Sequence, residues 1–161
     1  MNTRFTTRRT YTRSGGMHNT FGDFICLHCH NFVSAEMSLS GVHNRNHCPY
    51  CLSSRHLDLF EAGDRLSACK ARMKPVALTL KRSTRKYAHP GNGELMLVHV
   101  CEDCGQVSIN RIAADDDNAL LMSLAAGRLE DDLRRLLNEY GIAAVGSDEI
   151  QFVKRGLFGL N

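Results

Sequence analysis

The chain has 161 residues, 43% of them hydrophobic, with seven Cys, three Pro and no Trp, and a formal net charge of +3. No run of about 18 apolar residues is present to span a membrane, and the N-terminal MNTRFTTRRTYTRSGG lacks the apolar core of a secretory signal. A soluble, reduced, cytoplasmic setting is therefore expected, without a membrane partner.

The charge is unevenly placed. Residues 1–90 hold fourteen Lys/Arg against five Asp/Glu, whereas residues 91–161 hold six against twelve, so one half is +9 and the other −6. Such an excess favours an anionic partner, with a solvated basic face as the plainer alternative.

Residues 1–22 read as a flexible basic tail in which Arg8 and Arg9 are candidate phosphate contacts. A mitochondrial targeting segment has a similar bias, but Thr7, Thr10 and Thr12 spoil its amphipathic helix. Two Cys-x-x-Cys turns follow, Cys26/Cys29 in FICLHC and Cys48/Cys51 in HCPYC, separated by eighteen residues. Two thiolates from each turn complete a tetrahedral four-thiolate zinc site, and the interval is that of a zinc ribbon. Disulfides would need an oxidising compartment, and an odd cysteine count suits metal better.

A third pair, Cys101/Cys104, joins Cys69 in a second expected zinc site that lacks one ligand. His56 is the first choice, with Asp58 or a backbone carbonyl to orient its free nitrogen. His99 is the alternative, because residues i and i+2 of a strand share a face with each other and so place it beside Cys101. His47 is third, since its neighbour Cys48 already serves the first site.

PVALTL and ELMLVHV read as two strands joined by a long basic arm containing KRSTRK, in which Lys81, Arg82, Arg85 and Lys86 are candidate nucleic-acid contacts. QVSIN supplies a third strand. Asp115, Asp116 and Asp117 offer helix caps for NALLMSLAAGRLEDDLRRLLNEYG, with a break at Gly127 and an end at Gly141. Its leucines form a packing face for the metal-held domain or for another chain. GSDEIQFVKRG suggests a last short strand.

Two enzyme readings fail on context. Cys48-Pro49-Tyr50-Cys51 matches a glutaredoxin-like dithiol, but no apolar strand precedes it and other cysteines compete for metal. A zinc deaminase needs a His-x-Glu or Cys-x-Glu and a Pro-Cys-x-x-Cys; here the order is Cys-Pro-x-Cys and no such Glu follows a ligand. An open corner at the second site would revive catalysis.

Arg45-Asn46-His47-Cys48-Pro49 spells the pentapeptide of the RNHCP domain family. The Cys26/Cys29 pair, His56-x-Asp58, Gly63-Asp64-Arg65, Cys69, Met73, Cys101-x-x-Cys104-Gly105, Asn110-Arg111 and Ala114-Asp115-Asp116 also resemble it. The resemblance spans about residues 24–118. It implies a small zinc-ribbon-like domain and carries no established activity.

The expected architecture is a small metal-held α+β fold. A basic tail (1–22) leads into a zinc-binding domain (23–118) of zinc-ribbon-like β-hairpins with two zinc ions, followed by a C-terminal helical extension (119–161). The expected function is non-enzymatic binding of RNA, on the ribosome or elsewhere, with Arg45 either joining the basic arm and tail at the surface or playing a structural part beside the zinc thiolates. A protein-interaction adaptor using the leucine-rich helix is the alternative, and a zinc-dependent or dithiol enzyme is third. No small-molecule substrate is identified.

Overall fold

The computed structural model describes residues 22–82 and 93–159. Arg8, Arg9, Arg85 and Lys86, with the expected tail up to residue 21 and the arm beyond Arg82, lie outside the described residues. The cysteine-rich end opens with a small antiparallel hairpin of β1 (Phe24–Ile25) and β2 (Phe32–Val33), followed by a one-turn helix α1 (Met37–Ser40). A four-stranded antiparallel sheet then runs in the order β3 (Ser54–Arg55), β4 (Arg72–Arg82), β5 (Gly93–Cys101), β6 (Val107–Arg111). Its strands include the three read from PVALTL, ELMLVHV and QVSIN.

Pro75 interrupts β4 without breaking it. It has no N–H to give, and the register with β5 shifts between Pro75 and Ala77, so the strand absorbs the proline through a bulge. Beyond that point the free edge of β4 is covered by residues 143–145. The Val145 N–H donates to the Leu78 carbonyl at 2.8 Å, and the Thr79 hydroxyl donates to the Ala143 carbonyl at 2.6 Å.

The strand period of two separates the apolar residues into two layers. Leu78 and Leu97 face one side, where Leu52, Leu121, Ala125, Val145 and Val153 close over them. Ala77, Val98 and Val107 face the other, against Leu129, Leu133, Leu136 and the fully buried Leu137. The first side belongs to α2 (Asn118–Ala126) and α4 (Ile150–Phe158), and the second to α3 (Asp131–Glu139). The leucine face after Asp117 therefore closes on the sheet of its own chain.

Asp117 caps α2 by accepting from the N–H groups of Ala119 and Leu120, and α2 ends at Gly127, where the break was expected. At the end of α3, Gly141 takes a positive φ of 68° and the Ile142 N–H returns to the Leu137 carbonyl.

The short strand expected in GSDEIQFVKRG is instead a 3-10 turn, Ser147–Glu149, running into α4. The Gly146 N–H donates to the Glu149 carboxylate at 3.1 Å and starts the turn. Ile150, Val153 and Leu157 then pack on the core cluster at helical spacing. Among the described residues, no helix is long and apolar enough to cross a membrane.

Candidate metal centres

Six of the seven cysteines sit in three tight turns, and the seventh, Cys69, stands just before β4. Cys26 and Cys29 lie in the turn of the β1–β2 hairpin, where the Cys26 N–H donates to the Asn31 carbonyl and the His30 N–H to the Cys26 carbonyl. Cys48 and Cys51 form the turn before β3, closed by Cys48 N–H to Ser53 carbonyl and Leu52 N–H to Cys48 carbonyl. Cys101 ends β5 and Cys104 lies in the turn to β6, with the Gly105 N–H donating to the Cys101 carbonyl at 3.0 Å.

A common backbone device shapes these turns. The residue after the last cysteine of each is left-handed: His30 at φ 59°, Leu52 at φ 59° and Gly105 at φ 75°, and Lys70 after Cys69 at φ 52°. Glycine alone takes that conformation without strain, so the three non-glycine cases persist because neighbouring contacts dictate them.

The first two turns meet. Cys26 Sγ lies 3.6 Å from Cys51 Sγ, and Cys29 Sγ lies 3.5 Å from Cys48 Sγ. All four sulfurs fall within 4.8 Å of one another. A tetrahedron with metal–sulfur bonds of about 2.3 Å has edges of about 3.8 Å, so the spacing fits a metal, whereas a disulfide would need sulfurs about 2.0 Å apart. Each cysteine of the CPYC turn also faces a sulfur of the other turn, and β3 rather than a helix follows it. This is not the setting of a redox dithiol.

The second group joins His56, Cys69, Cys101 and Cys104, again within 4.8 Å. Cys69 and Cys101 sulfurs are 3.7 Å apart, and His56 Nδ1 is 3.3 Å from Cys104 Sγ. Backbone pairing puts His56 there: its N–H donates to the Ala71 carbonyl, and the Lys70 N–H donates to the His56 carbonyl. Burial, then the Lys70 charge, lowers the His56 pKa and favours the neutral imidazole a metal requires.

His99, the alternative fourth ligand, is engaged elsewhere. It is fully buried, with Nε2 donating to the Leu52 carbonyl at 2.7 Å and Nδ1 accepting from the Asn110 amide at 2.9 Å. Burial above all, then repulsion from His47, holds its pKa at about 3. The Asp58 backbone and charge act on the His56 ring, but no side-chain hydrogen bond joins the two. Asp58 accepts from the Gly63 and Arg65 N–H groups, while His56 Nε2 is buried with no hydrogen-bond partner.

Electrostatics ask for a cation at both groups. Burial raises the pKa of Cys48, Cys51 and Cys69, and it pushes Cys104 up to about 12, with neighbouring thiols adding to the effect. Cys29 differs. Against the upward push of burial, the Asn31 backbone and amide hold it at about 6. A dication held there would supply the charge that lets the remaining thiols ionise together.

Arg72 was not anticipated. It donates to His28 Nδ1 beside the first group and pairs with Glu102 between Cys101 and Cys104, so one guanidinium braces a cysteine turn of each group. Its type and spacing carry no sequence signal.

Arg45 corrects an expectation. It does not stand at a phosphate-binding surface: its side chain is 1% exposed, pairs with Asp115 at 2.8 Å and Asp116 at 3.6 Å, and donates to the Ser34 and His47 carbonyls. Two carboxylates about 70 residues away bury it. Asp64 likewise organises a loop, accepting from the N–H groups of Leu59, Phe60, Glu61 and Leu66. Lys81 and Arg82 are at the end of β4, and both are exposed.

The family model for the RNHCP domain matches residues 21–122, which hold every residue of both donor groups. The chain belongs to the RNHCP domain family. No curated protein and no solved structure gives a match. Of the residues that spell the family's name, Cys48 alone joins a donor group, and Arg45, Asn46 and His47 are buried beside it.

Proposed function

We propose that this RNHCP domain is a non-enzymatic, zinc-ribbon-like module that carries two zinc ions and binds RNA, on the ribosome or elsewhere, through its basic half. The observation behind the metal reading is that four side chains fill each donor group. Four thiolates, or three thiolates with one histidine, are structural zinc sets; catalytic zinc keeps one position for water, and His56 takes that position here. Zinc would hold the two turns of the first site together and the Cys101–Cys104 turn against Cys69 and His56 at the second.

The charge pattern supports the partner. Zinc on four thiolates carries −2 and on three thiolates with histidine −1, so residues 1–90 keep about +6 or +7 of their formal +9. Arg45, Arg72 and Arg111 are paired with carboxylates. Lys81 and Arg82 stand where β4 leads toward Arg85 and Lys86, and contacts from this arm would go to phosphates. The adaptor alternative loses its main support, because Leu121 and Leu137 are spent in the chain's own core.

Changing Lys81, Arg82, Arg85 and Lys86 to Gln is expected to leave metal content intact, weaken RNA association about tenfold or more, and flatten its salt dependence by up to about three units of log–log slope. Filter binding over a salt series reads the affinity and the slope, and metal analysis reads the rest. A tight complex indifferent to salt and to the four substitutions would contradict the proposal.

A further inference from the structure

His47 precedes a candidate ligand, yet its ring turns away from both donor groups. Nε2 lies 3.0 Å and 2.8 Å from the two carboxylate oxygens of Asp116, and the two side chains are 2% and 0% exposed. Asp116 also accepts the Ala113 N–H at 2.8 Å, and Arg45 stands over the pair, its Nε donating to the His47 carbonyl. Such burial is costly unless the groups satisfy one another; His47 and Asp116 do, and Arg45 Nη2 lies 3.6 Å from Asp116 with no hydrogen bond of its own.

The same turn is fastened at two further points. The Pro49 carbonyl, inside it, accepts the Asp117 N–H at 2.9 Å, immediately before α2. The Leu52 carbonyl, just after it, accepts from His99, while the Leu52 side chain packs with Leu121 and Ala125 of α2. The Cys48–Cys51 turn is thus held on three sides by residues 99 to 125. Its partner turn, Cys26–Cys29, rests on strands of two residues each, with Ile25, Leu27 and Phe32 exposed around it.

We propose that His47 and Asp116, braced by Arg45, are positioning residues for the Cys26/Cys29/Cys48/Cys51 metal site. They set the Cys48–Cys51 half in its binding geometry before metal arrives, and they tie metal capture there to the docking of α2. The inference rests on the two-metal reading. Fixing two of four ligands in advance raises affinity because less order must be imposed on binding, and partners behind a ligand commonly change metal affinity about 10- to 100-fold.

The test titrates the full-length reduced protein with Co2+ and Zn2+ against a chromophoric chelator. Cobalt absorption separates a four-thiolate site from one with three thiolates and a histidine. His47→Leu and Asp116→Asn are expected to weaken the four-thiolate site about 10- to 100-fold and leave the other within about threefold. His47→Gln, which keeps a donor toward Asp116, is expected to stay within about threefold of the parent at both. Metal-stripped parent protein should show faster amide exchange in α2 than the loaded form.

Unchanged affinity at the four-thiolate site in both weakened variants would overturn the proposal, as would an equal loss at both sites, which marks general destabilisation. If His47→Leu does not fold, the near-isosteric Asp116→Asn decides by the same two criteria. A parent protein that binds fewer than two ions fails before any variant is compared, and that result overturns the two-metal reading itself.

Discussion

Replacing Cys48 with serine is expected to halve the metal content and unfold the two cysteine turns of the first donor group. Cys48 is fully buried, 3.5 Å from Cys29, and its hydrophobic neighbourhood is little more than Phe24, Cys26, Val33 and Leu57. A serine oxygen is a poor ligand in a thiolate set, and three remaining sulfurs do not close a tetrahedron. Structural zinc contributes an apparent stabilisation of about 10–16 kcal/mol at neutral pH, comparable with the whole stability of an ordinary domain.

The loss should be local in its first stage. Leu78, Leu97 and Val153 form a core that no cysteine enters, so β4, β5 and α4, with His56 beside β4, should outlast residues 24–53. Amide exchange followed by mass spectrometry resolves the two regions. A Cys48→Ser protein with two metal ions and an unchanged melting temperature would contradict this, and altered thiol exchange in such a protein would return the dithiol reading.

The second large effect is expected at Arg45. Arg45→Met removes the cation facing Asp115 and Asp116 and should destabilise the folded protein by about 3–5 kcal/mol, the usual penalty for leaving a buried partner charge uncompensated. Urea denaturation of the metal-loaded protein measures it. Had Arg45 been a surface phosphate contact, the same change would alter RNA affinity and cost less than about 0.5 kcal/mol of stability.

That contrast marks where the sequence was legible. The Cys26/Cys29/Cys48/Cys51 group follows from local spacing, because a Cys-x-x-Cys turn puts its own two sulfurs together and needs only one further meeting. Helix caps and breaks at Asp117, Gly127 and Gly141 are equally local, each set by one residue's hydrogen bond or φ.

The fourth ligand of the second group needed long-range information. His56 and His99 are both histidines near cysteines, and the backbone pairing of His56 with Ala71 and Lys70 separates them. His99 has both ring nitrogens taken by Leu52 and Asn110, one of them on the neighbouring strand. Arg45 stayed open between a structural and a surface role for the same reason, since its distant carboxylates decide between them. Residues 147–158 misled through a short, mixed apolar pattern that fits a strand as well as a helix; packing on the sheet decides for the helix.

The most direct measurement is the metal content of the reduced, full-length protein purified without chelator, together with X-ray absorption at the metal edge. The two donor groups predict two zinc ions per chain and an average first shell of seven sulfurs to one nitrogen, from Cys26, Cys29, Cys48, Cys51, Cys69, Cys101, Cys104 and His56. A single zinc, a shell rich in oxygen, or native disulfides among these cysteines would contradict it.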